Sequence, residues 1–148
     1  MSAERFKLIG AVYLLPIKDG KVLMLRRFNT GYEDGNYSLV AGHIDGGESM
    51  KDAMIREAKE EAGISVKSED IKHALTLHRW CGDHERVEIF FTTEVWDGEI
   101  TIMEPNKCDD LSWFPLGELP ENVIPYIKSV VESINQKETY LEFGWDKK

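Results

Sequence analysis

The chain has 148 residues, 42% of them hydrophobic and 30% charged, with a formal net charge of −9. That length suits one compact soluble domain, residues 1–148, and no repeat or Pro-, Ser- or Gln-rich stretch marks a linker. The negative balance argues against a footprint for DNA, RNA or an anionic membrane.

The first ten residues, MSAERFKLIG, lack a basic segment followed by an apolar stretch and a small-residue cleavage site. The longest apolar run, 9–17, is broken by Gly10 and Pro16 and is too short to span a bilayer. A cytoplasmic protein without membrane attachment is the expectation. Cys81 and Cys108 are too few and too far apart for a disulfide framework or a zinc site, and both are expected to be free thiols.

Residues 7–15 read as a strand ending at Pro16; Asp19-Gly20 turns the chain into a second strand over 21–27, making a hairpin. A polar loop follows over 29–36, then a short strand over 37–40. Three glycines within 42–47 demand a tightly curved loop. A helix is predicted over 49–62, with Ser49 and Asp52 resembling a capping box and Gly63 placed as its left-handed C-terminal cap. Further strands are expected over 72–79, 87–96 and 111–115, with Trp96 and Trp113 in strands as core residues. Residues 125–135 carry apolar side chains at 127, 130, 131 and 134, a helical spacing. Strands mixed with two helices imply an α/β or α+β layered domain.

The segment that carries chemistry is 42–64, GHIDGGESMKDAMIREAKEEAGI. At about 100° per residue, Glu60 and Glu61 fall near −60° and +40° from Glu57, so three carboxylates share an arc of about 100°. Met54, Ile55, Ala58 and Ala62 fill the adjoining arc and should pack on the sheet. A solvated acidic face is the competing reading. Like charges three and four apart repel, however, and Arg56 is the one basic residue on the flank. Concentrated carboxylates with little compensation are what a hard divalent cation requires.

The spacing decides between these readings. A glycine, five residues, Glu, seven residues, then Arg-Glu-apolar-any-Glu-Glu-any-Gly-apolar is met by Gly42, Glu48, Arg56, Glu57, Ala58, Glu60, Glu61, Gly63 and Ile64. Seven identical matches at roughly 7% usage each would coincide by chance at about 10⁻⁸ per start site. The segment resembles the Nudix box, and the order of strands and helices resembles that family over nearly the whole chain. The resemblance implies an α/β/α sandwich with a mixed β-sheet between helices.

It also implies a hydrolase that cleaves a diphosphate linkage in a small nucleotide, using Mg2+ or Mn2+ as cofactor. On that basis Glu57, Glu60, Glu61 and the carbonyl of Ala41 would hold the metal, with Glu48 in support and Arg56 orienting a glutamate. Glu104, in WDGEITIMEPNKCDDL, resembles the distal glutamate of mutator-type members, with Asp109 and Asp110 as competitors. Either Glu57 or Glu104 would be the general base. Arg27 resembles a phosphate-contacting arginine, and Asn122 a base-recognising amide, with helix N-cap as the alternative for Asn122. His78, Arg79, His84 and Arg86 surround a predicted loop within reach of a ligand.

Proline and tyrosine marks of the ADP-ribose and dinucleoside-polyphosphate subgroups are absent where Arg79, Trp80, Cys81 and Gly82 stand, and no coenzyme A or NADH pattern is seen. The resemblance therefore points to nucleoside triphosphates. Two other readings remain: hydrolysis of a nucleoside diphosphate joined to another group, and a nucleotide-binding domain that does not cleave. The second usually shows losses among the carboxylates, and none is lost here.

Overall fold

The computed structural model describes residues 4–147; the first three positions of the segment read for a leader, and residue 148, lie outside the described residues. The strands are β1 (Ile9–Lys18), β2 (Lys21–Arg27), β3 (Tyr37–Ser38), β4 (Val40–His43), β5 (Lys72–Trp80), β6 (Glu85–Thr93), β7 (Cys108–Pro115) and β8 (Tyr140–Phe143). Two helices, α1 (Met50–Ala62) and α2 (Pro125–Asn135), accompany them. The eight strands form one mixed sheet ordered β3-β2-β1-β6-β5-β8, with β4 also pairing β1 and β7 pairing β2. β1 runs parallel to β6 and β5 parallel to β8, while the other pairs are antiparallel.

β1 runs past Pro16 rather than ending there. Its antiparallel pairing with β4 stops at Leu14 and that with β2 begins at Ile17. Pro16 falls between the two, where its missing N–H costs no antiparallel bond. At the hairpin tip Asp19 and Gly20 have φ of 54° and 76°, the pair of positive angles a two-residue type I′ turn needs.

Side chains alternate along β1, and both faces are buried. Ala11, Tyr13 and Leu15 join Ile127, Val130 and Val131 of α2 in one core. Val12 and Leu14 join Met54, Ala58 and Ala62 of α1 in the other. The helices therefore cover opposite faces of the sheet, the three-layer sandwich expected. Ala58 and Ala62 are fully buried, and their small size lets the α1 backbone lie close against the sheet.

Three expectations are corrected. The strand predicted over 87–96 ends at Thr93, whose hydroxyl bonds the Val95 carbonyl and turns the chain out of the sheet. Trp96 is thus outside any strand, half-buried and stacked on Trp113 of β7 at 6.1 Å. The strand predicted over 111–115 starts at Cys108, because β2 supplies a pairing partner as far back as Arg27. β8 lies beyond the elements that the sequence pattern predicts.

Cys81 and Cys108 are free. No helix among the described residues is long and apolar enough to cross a membrane.

Candidate active site at the β4–α1 junction

Helix α1 is placed by its own ends. Ser49 caps it by accepting from the N–H of Asp52 at 3.1 Å, and Gly63 closes it with φ 72°. With Met54, Ala58 and Ala62 on the sheet, Glu57 and Glu61 are carried against the edge of β4. Gly42 makes this approach possible. A Cβ at that position would overlap the Cγ, Cδ and Oε1 atoms of Glu57, so only glycine leaves room for the carboxylate. Its neighbour Ala41 donates its N–H to Oε1 of Glu61 at 2.8 Å.

Arg56 ties the acidic residues together. Its Nη1 donates to Glu57 Oε1 at 2.6 Å and its Nη2 to Glu48 Oε1 at 2.7 Å; Glu60 Oε2 lies 3.5 Å from Nη1. Glu48 is held below the usual carboxylate range by these bonds to Arg56. Glu57 behaves oppositely: desolvation by burial raises its pKa despite the Arg56 bond. Glu61 is pushed up to about 7, first by burial and then by the charges of Glu57 and Glu104, against the lowering bond from Ala41. A carboxylate pair this desolvated and mutually repelling gains from a bound cation.

Glu104 reaches the same place from the loop after β6. That loop docks on the end of α1: the Thr101 N–H bonds the Ala62 carbonyl at 3.0 Å, and Ser65 and Asp97 form an antiparallel bridge. Glu104 and Glu61 line one cavity of about 490 Å³ together with Arg26, Arg27 and Lys107. Arg27, His43 and Glu61 also border a second cavity of about 250 Å³, walled by Tyr13, Tyr32 and Tyr126.

Not every expected residue is brought in. Glu60 is 57% exposed at its side chain, and none of Arg56, Glu57 and Glu60 lines either cavity. Ala41, by contrast, borders the second cavity with Glu61 and donates its N–H to that carboxylate. Asn122 lines neither cavity: its amide donates to the Gly35 carbonyl at 3.0 Å. Nor does it cap α2, whose N-cap is Ile124. Asp109 pairs with Arg26 at 2.8 Å, and Asp110 accepts from Tyr37 and from Ser112, so both serve the β2–β7 ribbon. Arg27 is steadied by bonds to the Tyr32 carbonyl at 2.6 Å and Thr30 Oγ1 at 3.0 Å. Of the four residues around the β5–β6 loop, Arg79 and Arg86 line the second cavity and His78 and His84 do not.

Among the described residues no three His, Cys, Asp or Glu side chains are grouped to enclose a metal ion as they stand. Glu57 is turned to Arg56 and Glu61 to Ala41. The donor set nonetheless fits a hard divalent ion: carboxylate oxygens from Glu57, Glu61 and Glu104, a glycine cradle beneath one of them, and mutual repulsion that a cation would relieve.

Sequence reasoning missed Glu88. It is fully buried on β6, and it accepts from Tyr13, from Arg79 Nε at 2.6 Å and from Arg86 Nε at 3.3 Å. A charged residue inside the run VEIFF was the available signal, since an interior carboxylate requires partners.

The family model of the NUDIX domain matches residues 7–133. Over 112 residues the chain is 32% identical to an NAD-capped RNA hydrolase NudC of Pseudomonas putida, covering 74% of this chain and 37% of that protein. The chain thus spans under half the length of such curated relatives. A MutT NUDIX hydrolase from Burkholderia pseudomallei superposes with a TM-score of 0.77 at 22% identity, covering 86% of this chain and 98% of the other. A MutT protein from Methanosarcina mazei gives 0.74 at 21% identity, covering 90% and 97%. These two likenesses concern the fold.

Proposed function

We propose that this chain, which belongs to the Nudix hydrolase family, cleaves a nucleoside triphosphate to the monophosphate and pyrophosphate. The observation that carries the reading is one cavity lined by Glu61 and Glu104 together with Arg27, Lys107 and Arg26, the last of which is paired with Asp109. Carboxylates for a divalent ion and cations for further phosphates suit a polyphosphate chain. An aromatic-walled lobe shares Arg27, His43 and Glu61 with it and has room for a nucleoside.

Glu57 and Glu61 would hold Mg2+ or Mn2+, with the Ala41 carbonyl and Glu60 as nearby oxygens. The bound ion would supply Lewis-acid stabilisation of phosphorus oxygens and make an attacking water more acidic. Arg56 keeps Glu57 in place through its 2.6 Å bond. Arg27, fixed by Tyr32 and Thr30, neutralises phosphate charge. Glu104 is the carboxylate freer to face an attacking water, because its ion-pair partner, Lys107, stands 3.8 Å away, whereas Glu57 is committed to Arg56.

A second reading, cleavage of the diphosphate between two nucleosides, is favoured by the 32% identity to an NAD-capped RNA hydrolase. A substrate panel separates the two. With magnesium, pyrophosphate should appear from triphosphates faster than mononucleotides appear from NAD; the opposite order selects the second reading.

A further inference from the structure

We propose that the smaller cavity is the nucleobase pocket and that Arg79 and Arg86, locked onto buried Glu88, make it select bases with a keto edge over those with an amino edge. The proposal rests on the triphosphate reading above for what occupies the larger cavity.

Three observations carry it. First, the walls suit a flat heterocycle: Tyr13, Tyr126, Ile124 and Leu39 border the space beside Glu61. Second, the two arginines that line it are held by hydrogen bonds. Arg79 gives Nε and Nη2 to the two oxygens of Glu88 at 2.6 and 3.1 Å, and its guanidinium lies 3.7 Å above the Tyr126 ring centroid. Arg86 gives Nε to Glu88 at 3.3 Å and Nη2 to His43 Nε2 at 3.0 Å. Tyr13 completes the set, bonding Glu88 and meeting the Tyr126 hydroxyl at 2.8 Å. Third, the pocket is rich in donors. Glu88 is the sole carboxylate in this network and its oxygens are spent on Tyr13, Arg79 and Arg86. A guanidinium only donates. Among the described residues, the Nη1 groups of Arg79 and Arg86 have no protein hydrogen-bond partner, although both residues line the cavity.

Where a base edge meets the two guanidinium groups, which only donate, O6 and N7 of a guanine-like base or the carbonyls of a uracil-like base are rewarded and the N6 amino group of adenine faces another donor; Glu61, which also borders the cavity, is reserved for the metal in this reading. Arg79 and Arg86 are specificity residues in this scheme. Glu88 is a positioning residue: it accepts from both guanidinium groups and offsets one of their two charges.

Hypoxanthine and adenine share N7 but differ at position 6, keto against amino, and at N1, N–H against a bare nitrogen, so the pair tests contact through the edge of positions 6 and 7, where adenine exchanges an acceptor for a donor. With the whole chain and magnesium, kcat/KM for inosine triphosphate should exceed that for adenosine triphosphate by about tenfold or more, the worth of one good edge contact. In calorimetry inosine monophosphate should bind more tightly than adenosine monophosphate by a similar factor. Arg86→Gln and Arg79→Gln, which offer an acceptor as well as a donor, should bring the ratio within about twofold. A merely structural role would lower both substrates alike and leave the ratio intact. Equal handling of the two bases by the wild-type chain, or a preference for adenine, overturns the proposal even if neither variant folds. If neither triphosphate is cleaved but inosine monophosphate still binds more tightly, the hydrolytic reading fails and the pocket assignment stands.

Discussion

Gly42→Ala separates the site from the fold more cleanly than loss of any carboxylate. The added methyl would occupy the volume of the Glu57 carboxylate, overlapping its Cγ, Cδ and Oε1. The backbone can accept alanine, because Gly42 lies in β4 without a positive φ, and the three atoms nearest the new Cβ all belong to Glu57. The side chain that must yield is Glu57, and moving it by about 1 Å breaks its 2.6 Å bond to Arg56. A misplacement of that size typically costs about 100-fold in rate. At 1.36 kcal/mol per factor of ten, that is about 2.7 kcal/mol of transition-state stabilisation. Replacing a strand glycine by alanine where the conformation permits it stabilises a fold by about 0.4–1 kcal/mol. The variant should therefore melt at or slightly above the wild-type temperature while pyrophosphate release at saturating magnesium falls about 100-fold. Wild-type turnover would refute the claim that Glu57 must rest over Gly42, and a large drop in Tm would show that Gly42 serves the fold instead.

Glu57→Gln and Glu61→Gln should each lower kcat by about two orders of magnitude with circular dichroism unchanged; turnover near wild type in both removes the assignment. Glu104→Gln should cut kcat strongly. Asp109→Asn and Asp110→Asn should instead act on stability, because their partners are Arg26 and the Ser112–Tyr37 pair; the reverse ranking in steady-state kinetics would move the base. Hydrogen bonds from Ser112 and Tyr37 hold Asp110 below the usual aspartate pKa, so its contribution is present above the unfolded-state value and is lost as pH falls through the folded-state one. Asp110→Asn should thus flatten acid unfolding, read by fluorescence, and an unchanged acid limb would contradict the bond. Gly63→Ala should lower stability by about 1–3 kcal/mol, since φ is 72° and the new Cβ would stand 3.0 Å from Met103 Sδ and Thr101 Oγ1. It should also reduce kcat, because that contact docks the loop bearing Glu104; a fall in Tm without any loss of kcat would uncouple the two.

What was legible in the sequence is what is local. Helix α1, its Ser49 cap, its Gly63 stop and the burial of Ala58 and Ala62 all follow from residues within a few turns of one another. Arg56 was expected to hold a glutamate, and its partners Glu48 and Glu57 lie close in the chain. The rest depends on distant pairing. β8 carries only Leu141 and Phe143 inward, and it becomes a strand because β5 offers a parallel edge. The Glu88 network joins residues up to 113 apart in sequence, so no window of the chain displays it. Asn122 was matched to a role by its place in LPENVIP, yet the fold sets it against Gly35, across 87 residues of chain.

The most direct test is anomalous scattering from crystals soaked in manganese with a non-hydrolysable nucleoside triphosphate. The account predicts a peak between the Glu57 and Glu61 carboxylates, with phosphate oxygens on its far side and the base in the Tyr13–Tyr126 lobe. No peak beside those two side chains in crystals that have bound the nucleotide would contradict it.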